Sequence, residues 1–182
     1  MRKITASFFM SLDGVVDAPH EWHFPYMNEE AQAAALAGVG GVDEIVLGRV
    51  TYQEWLPTWP AQGTSNPMAE FLNTTPKLIV STSLDRVEWS GSTLITGDVF
   101  DALSQEKQKP GKDIAIFGSG TLVSSLLLHG LVDELKLMVH PIVVGRGKRL
   151  FDSGAEQRGL ELIETATFSS GVLSLTYRPV RD

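Results

Sequence analysis

Strand-like and helix-like patterns alternate along this chain to about His140 and then stop. Short apolar runs that suit strands recur at Lys3–Leu12, Asp43–Leu47, Lys77–Ser81, Thr93–Thr96, Asp113–Phe117 and Glu134–His140. Helix-favouring stretches lie between most of them. They are the Ala-rich Met27–Ala37, stopped by Gly38, Gly40 and Gly41, and a short segment carrying Tyr52 and Trp55, ended by Pro57 and Pro60. Asn66–Leu72 follows with Ser65 or Asn66 as its cap, then Asp98–Lys109 capped by Asp98, then a face of Leu122, Val123, Leu126 and Leu127 ended by Gly130. The last two runs, Leu160–Phe168 and Val172–Arg178, are joined only by Ser169-Ser170-Gly171 and read as a hairpin. Strands separated by helices pair in parallel through crossovers, and strands joined by a tight turn pair antiparallel. The expectation is an α/β fold with a mixed, mostly parallel central sheet of about eight strands, flanking helices and a C-terminal antiparallel hairpin.

A length of 182 residues favours a single domain spanning 1–182. The absence of cysteine excludes disulfides, thiolate metal sites and a cysteine nucleophile. With 15 basic against 22 acidic residues the net charge is −7, which argues against nucleic acid or an anionic membrane as partner. An anionic ligand would need a local device such as a helix N-terminus, a row of amides or one or two arginines. No apolar run reaches 18 residues and the N-terminus alternates rather than opening on an apolar block, so the expected location is the cytoplasm.

Four segments carry chemistry, each at a strand end. Phe117-Gly118-Ser119-Gly120-Thr121 lies between a strand and an amphipathic helix, where small residues let amides approach a phosphate; a tight turn explains it equally. Leu47-Gly48-Arg49-Val50-Thr51-Tyr52 opens another helix, with Arg49 able to fork onto a phosphate and Thr51 to support a second. Val80-Ser81-Thr82-Ser83, with Arg86 behind, offers hydroxyls suited to a ribose 2′-phosphate. Ser11-Leu12-Asp13-Gly14 ends the first strand with a carboxylate that either handles a proton or simply makes a turn. Together they gain weight, because parallel strands bring their C-terminal ends to one rim. Trp22 and Phe24, with Trp55 and Trp59, are candidates to line a pocket for a planar ring, and core packing is the alternative. His20 and His23 lie near Asp17 and Glu21, but nothing else supports a metal, and none is expected. His140 reads as structural. The basic run Gly145-Arg146-Gly147-Lys148-Arg149 is a solvated loop, a phosphate site or a subunit contact.

These pieces, in this order, resemble the dihydrofolate reductase-like family, and most of all its RibD C-terminal branch, the reductase domain of riboflavin biosynthesis. The landmarks are Ser11-Leu-Asp-Gly14, Asp43-Glu-Ile-Val-Leu-Gly-Arg49, Phe117-Gly-Ser-Gly120, Val132-Asp-Glu-Leu-Lys-Leu137, Pro141 with Gly145-Arg-Gly147, and Leu150-Phe151. The resemblance implies an NADPH-dependent oxidoreductase acting on a small heterocyclic molecule, of the phosphoribosylaminouracil reductase or dihydrofolate reductase type, often a homodimer. A non-catalytic NADPH-binding dimer, acting as a sensor, is the alternative. By the same resemblance Arg49, Ser81, Thr82 and Ser83 would hold the 2′-phosphate. Gly48 and Thr51 would support the pyrophosphate, with Gly118, Ser119, Gly120 and Thr121 lying against the pyrophosphate and nicotinamide end. Asp13 would be the catalytic, proton-handling or orienting group, with Ser11, Trp22 and Phe24 on the substrate side. Members of the dihydrofolate reductase type often carry a cis Gly-Gly bond where this chain has Gly118-Ser119, and a cis bond at a non-proline residue costs about 3 kcal/mol. Two departures leave the substrate open: Met27 stands where folate reductases place an acid, and Val15-Val-Asp-Ala-Pro-His20 replaces the basic stretch usual in riboflavin reductases.

Overall fold

The computed structural model describes residues 1–151 and 156–180. Its strands are β1 (Ile4–Ser11), β2 (Val42–Gly48), β3 (Lys77–Val80), β4 (Ser92–Ile95), β5 (Asp113–Phe117), β6 (Glu134–His140), β7 (Leu160–Thr167) and β8 (Leu173–Pro179). They form one sheet in the order β4-β3-β2-β5-β1-β6-β8-β7. The first six run parallel, while β8 is antiparallel to both β6 and β7. The sheet is therefore mixed and mostly parallel, with the antiparallel pair at its C-terminal edge.

The helices are α1 (Glu29–Ala37), α2 (Arg49–Trp55), α3 (Trp59–Gln62), α4 (Pro67–Thr74), α5 (Val99–Gln108) and α6 (Gly120–Leu128). Side chains fix their starts. Asn28 stands outside α1 and caps it, its Oδ1 accepting from the Ala31 amide at 3.0 Å. Asn66, not Ser65, caps α4 through the Ala69 amide at 2.9 Å. Asp98 caps α5 by accepting from Phe100 and Asp101 at 2.8 and 3.1 Å. Sequence patterning takes Pro60 as a terminator, but it sits in the first turn of α3, where its missing N–H costs nothing.

Alternation along the strands divides the core in two. Ile4, Ala6 and Phe8 of β1, Ile114 and Ile116 of β5, and Leu135, Leu137 and Val139 of β6 pack against Leu103 of α5 and Val123, Leu126 and Leu127 of α6. On the opposite face Ile45, Leu47 and Ile79 pack against Tyr52 of α2, Leu72 of α4 and Trp89. Central strands covered on both faces must be apolar on both, which is why β2 and β3 read as continuous runs rather than alternating ones. Parallel pairing gathers the C-terminal ends of β1 to β6 on one rim. The opposite rim is tied by ion pairs, Arg2 with Asp43 and Glu44 and Lys107 with Asp133 at 2.5 Å. Among the described residues no helix is long and apolar enough to cross a membrane.

Candidate active site at the C-terminal rim

β2 lies between β3 and β5, so three of the four predicted turns arrive side by side. Gly48 is paired with Val80 across β2 and β3, which sets the Gly48–Thr51 turn beside Ser81. The β5 turn meets the same loop from the other side. Ser119 Oγ accepts from the Gly48 amide at 2.8 Å and lies 3.0 Å from Thr51 Oγ1. Gly118 adopts φ 59°, and a side chain there would stand 2.9 Å from Thr51 Oγ1, so only glycine fits that approach. Ser119 shares the left-handed conformation, with φ 59° and ψ 50°. Every peptide bond among the described residues is trans, 118–119 included. The turn reverses through two consecutive left-handed residues instead.

This arrangement redistributes the expected donors. The Gly48 amide and the buried Thr51 hydroxyl, expected to face a pyrophosphate, are turned inward onto Ser119. Ser119 in turn gives no side-chain cap to α6, so the first-turn amides of Gly120 and Thr121 stay at the rim, where a helix start attracts an anion. Arg49 is exposed and donates to Gln53 one turn on, at 2.8 Å. Ser81 is buried, its hydroxyl accepting from the Ser83 and Leu84 amides at 3.1 and 3.0 Å, while the Thr82 and Ser83 side chains are exposed. Arg86 pairs with Glu88.

The fourth turn is built differently from its sequence expectation. Ser11 is fully buried; its hydroxyl donates to Asp13 Oδ1 at 2.6 Å and accepts from the Val15 amide at 2.9 Å. Both bonds of its hydroxyl lie within the turn, which it organises from inside. Asp13 Oδ1 also accepts from the Val144 amide at 3.0 Å, and Oδ2 from the Gly145 amide at 2.9 Å, with Arg149 Nη2 at 3.5 Å. These hydrogen bonds, the Ser11 hydroxyl first among them, lower the carboxyl to a pKa of about 2. An acid that strong is ionised at neutral pH, so of the two roles expected for Asp13, orienting fits this environment and donating a proton does not.

The partner segment of Asp13 is what the sequence reading missed. Residues 142–150 run beside 12–16 and bond to them: Leu12 N to Ile142 O, Val16 N to Lys148 O and Leu150 N to Gly14 O, at 2.8–3.0 Å. The Gly145–Arg149 run was the visible signal, but its amides, not only its charges, do the work of holding Asp13. Trp22 is buried and donates from Nε1 to the Asp17 carbonyl at 3.0 Å, packing against His140 rather than lining an open pocket. Phe24 is exposed and lies against His23. Trp55 is half-buried next to Phe117, at the foot of the Gly118 turn. Among the described residues no group of three or more His, Asp or Glu is placed to hold a metal ion.

Known proteins resemble this chain in sequence or in fold. YyaP of Bacillus subtilis (strain 168), an uncharacterized protein, is 27% identical over 180 residues, spanning 97% of this chain and 94% of its own. The crystal structure of a candidate riboflavin biosynthesis protein from Shewanella sp. PV-4 matches with a TM-score of 0.75 at 19% identity, over 98% of this chain and 99% of that one. Dihydrofolate reductase from Enterococcus faecalis, in complex with NADP(H), matches with a TM-score of 0.65 at 14% identity, over 97% and 96%. The fold is thus dihydrofolate reductase-like. The RibD C-terminal domain family matches residues 2–174, and the chain belongs to that family.

Proposed function

We propose that this protein is an NADPH-dependent reductase of a small heterocyclic substrate bearing a C=N or carbonyl group. The observation that carries the reading is the convergence of the Gly48–Thr51, Ser81–Ser83 and Gly118–Thr121 turns on one rim. It supplies, in a line, an exposed arginine with two free hydroxyl side chains and the open start of a nine-residue helix. That donor set fits a dinucleotide carrying a 2′-phosphate. Arg49, Thr82 and Ser83 would take the 2′-phosphate, and the amides at Gly120 and Thr121 the pyrophosphate. NADPH bound there supplies the hydride. Asp13 stays ionised, and its task is to hold segment 142–150 against the end of β1, beside the reacting groups. The proton then comes from water.

Fluorescence titration tests the cofactor assignment. NADPH is expected to bind at least about tenfold tighter than NADH, and Arg49→Ala to remove that preference, about 1.4 kcal/mol per tenfold. Equal affinities would refute the 2′-phosphate site. The strong acidity of Asp13 also favours a second reading, a binder without turnover. Cofactor oxidation assayed across pyrimidine and pterin substrates separates the two, because a pure binder saturates without oxidising NADPH. Under the reductase reading Asp13→Asn lowers the hydride-transfer rate and spares NADPH affinity.

A homodimer belongs to the same proposal. The edge strand β7 leaves Leu162 and Ile163 exposed, 48% and 37%, in a strand edge that pairs with no further strand among the described residues. Sedimentation velocity is expected to show a two-chain species; a single-chain mass at micromolar concentration would count against it.

A further inference from the structure

After β1 the chain crosses the ends of β1 and β6 before it reaches α1, and aromatic packing fastens it there. His140, the last residue of β6, is fully buried. Phe9 meets its ring edge-on at 5.5 Å, Trp22 at 5.4 Å, His23 at 6.1 Å and Tyr26 at 6.1 Å. Three of these four rings belong to residues 17–27. His23 is itself buried, stacked on Phe9 at 4.9 Å and against Phe24 at 4.1 Å. The seam between this segment and the sheet is therefore two imidazoles set among aromatic rings.

Their hydrogen bonds fix the protonation state in which the seam closes. His140 Nδ1 lies 2.8 Å from the Met138 carbonyl and His23 Nδ1 lies 2.6 Å from the Pro19 carbonyl. A carbonyl only accepts, so both Nδ1 atoms carry hydrogen and each neutral ring keeps its lone pair on Nε2. His140 Nε2 is buried with no hydrogen-bond partner, so a second proton would arrive among aromatic rings, where the backbone of Met138 and Met10 favours it but burial outweighs them. The titratable groups facing His140 are His23 and Tyr26, and His20 faces His23. Burial first, then repulsion between neighbouring imidazoles, holds both histidines below their ordinary pKa.

We propose that His140 and His23 form an acid-released latch, which keeps residues 17–27 closed over the ends of β1 and β6 while both rings are neutral and frees them once the rings are protonated. With the segment open, both imidazoles meet water and take a proton near pH 6.5. Closure is therefore fully favoured above that pH and loses ground as the pH falls through it. The closed-to-open ratio drops about tenfold for each unit by which closure lowers a histidine. The consequence reaches the rim, because Val16, just before the latched segment, stands next to Gly120 at the start of α6, where a Cβ would meet it at 3.8 Å. The latch needs no bound ligand and stands independently of the reductase reading.

Hydrogen–deuterium exchange of the whole chain at about pH 7.5 and pH 5, corrected for the intrinsic rate, tests it. Peptides spanning residues 17–27 are expected to lose about tenfold or more of their protection at the lower pH, while β5 keeps its own. The double variant His23→Phe/His140→Phe keeps rings in the seam without a titrating nitrogen, and the loss is expected to vanish there. Should that variant fail to fold, the imidazole Hε1 shifts of the unaltered protein decide: midpoints below about 6.5 support the latch, and midpoints at or above it overturn it. Equal protection at both pH values, or the same loss in the double variant, overturns it as well.

Discussion

Three small side chains set how closely the ends of β2 and β5 approach. A methyl group on Gly48 would stand 2.7 Å from Ser119 Oγ, closer than atoms tolerate, and pushing that hydroxyl away breaks its bonds to the Gly48 amide and to Thr51. Gly48→Ala is expected to cost about 1–3 kcal/mol. Ser119→Gly alone has a smaller effect, because the lost hydrogen bond is offset by release of a left-handed serine. Combined, the two changes fall short of the sum by about 0.5 kcal/mol or more, since the second removes the clash of the first. Urea denaturation of the four proteins measures this, and strict additivity would mean the two turns are not in real contact. Both turns were legible in the sequence as separate signals. Their contact was not, because Gly48 and Ser119 are 71 positions apart and meet only through the pairing of β2 with β5. Asp13 shows the same limit: its place at a strand end was readable, while its acidity depends on amides 131 and 132 positions away.

At the scale of elements, local chemistry was the readable part. Asp98 and Asn66 sit where cap residues belong, and each accepts an amide of the turn it starts. Asp98→Ala is expected to cost about 1 kcal/mol and to lower the melting temperature by about 2–4 °C. Differential scanning calorimetry checks it, and an unchanged Tm would mean that α5 is held by its apolar face alone. The position of α1 was not readable, since an Ala-rich helix has no strong apolar side to dictate its neighbour. It is tethered at its start instead. Glu30 Oε2 accepts from the Ser169 amide and hydroxyl at 2.7 and 2.9 Å, and Asn28 Nδ2 donates to Ser169 Oγ at 2.9 Å. The turn that closes the C-terminal hairpin thus also anchors a helix from the first quarter of the chain. These bonds hold the Glu30 carboxyl below its usual range.

The whole molecule obeys pairing rules that a linear reading supplies only in part. Antiparallel neighbours joined by a short turn, β7 and β8, follow from the sequence, whereas insertion of β5 between β2 and β1 requires crossovers that no local pattern encodes. Burial of Lys77 is a product of that arrangement. Lys77 opens β3, which is flanked by β2 and β4, and Trp89 closes over it with the Lys77 ammonium 4.8 Å from its ring. Nζ donates to the Thr75 and Ser90 carbonyls at 2.8 and 3.4 Å, and burial lowers the pKa to about 8. Between about pH 8 and 10.4 the unfolded chain still binds this proton and the native one does not, so this residue's contribution to stability rises with pH across that window. Below it the charge is buried at its full cost; above it both states are neutral and the cost is gone. Lys77→Met removes the titration, so the stability of the unaltered protein relative to the variant is expected to rise by about 2–3 kcal/mol across the window. Urea unfolding of both proteins at matched pH values reads that difference directly, other titrating groups cancelling between them. A difference that stays flat would mean the ammonium keeps its ordinary affinity for the proton, and that Trp89 and the two carbonyls replace the water it leaves.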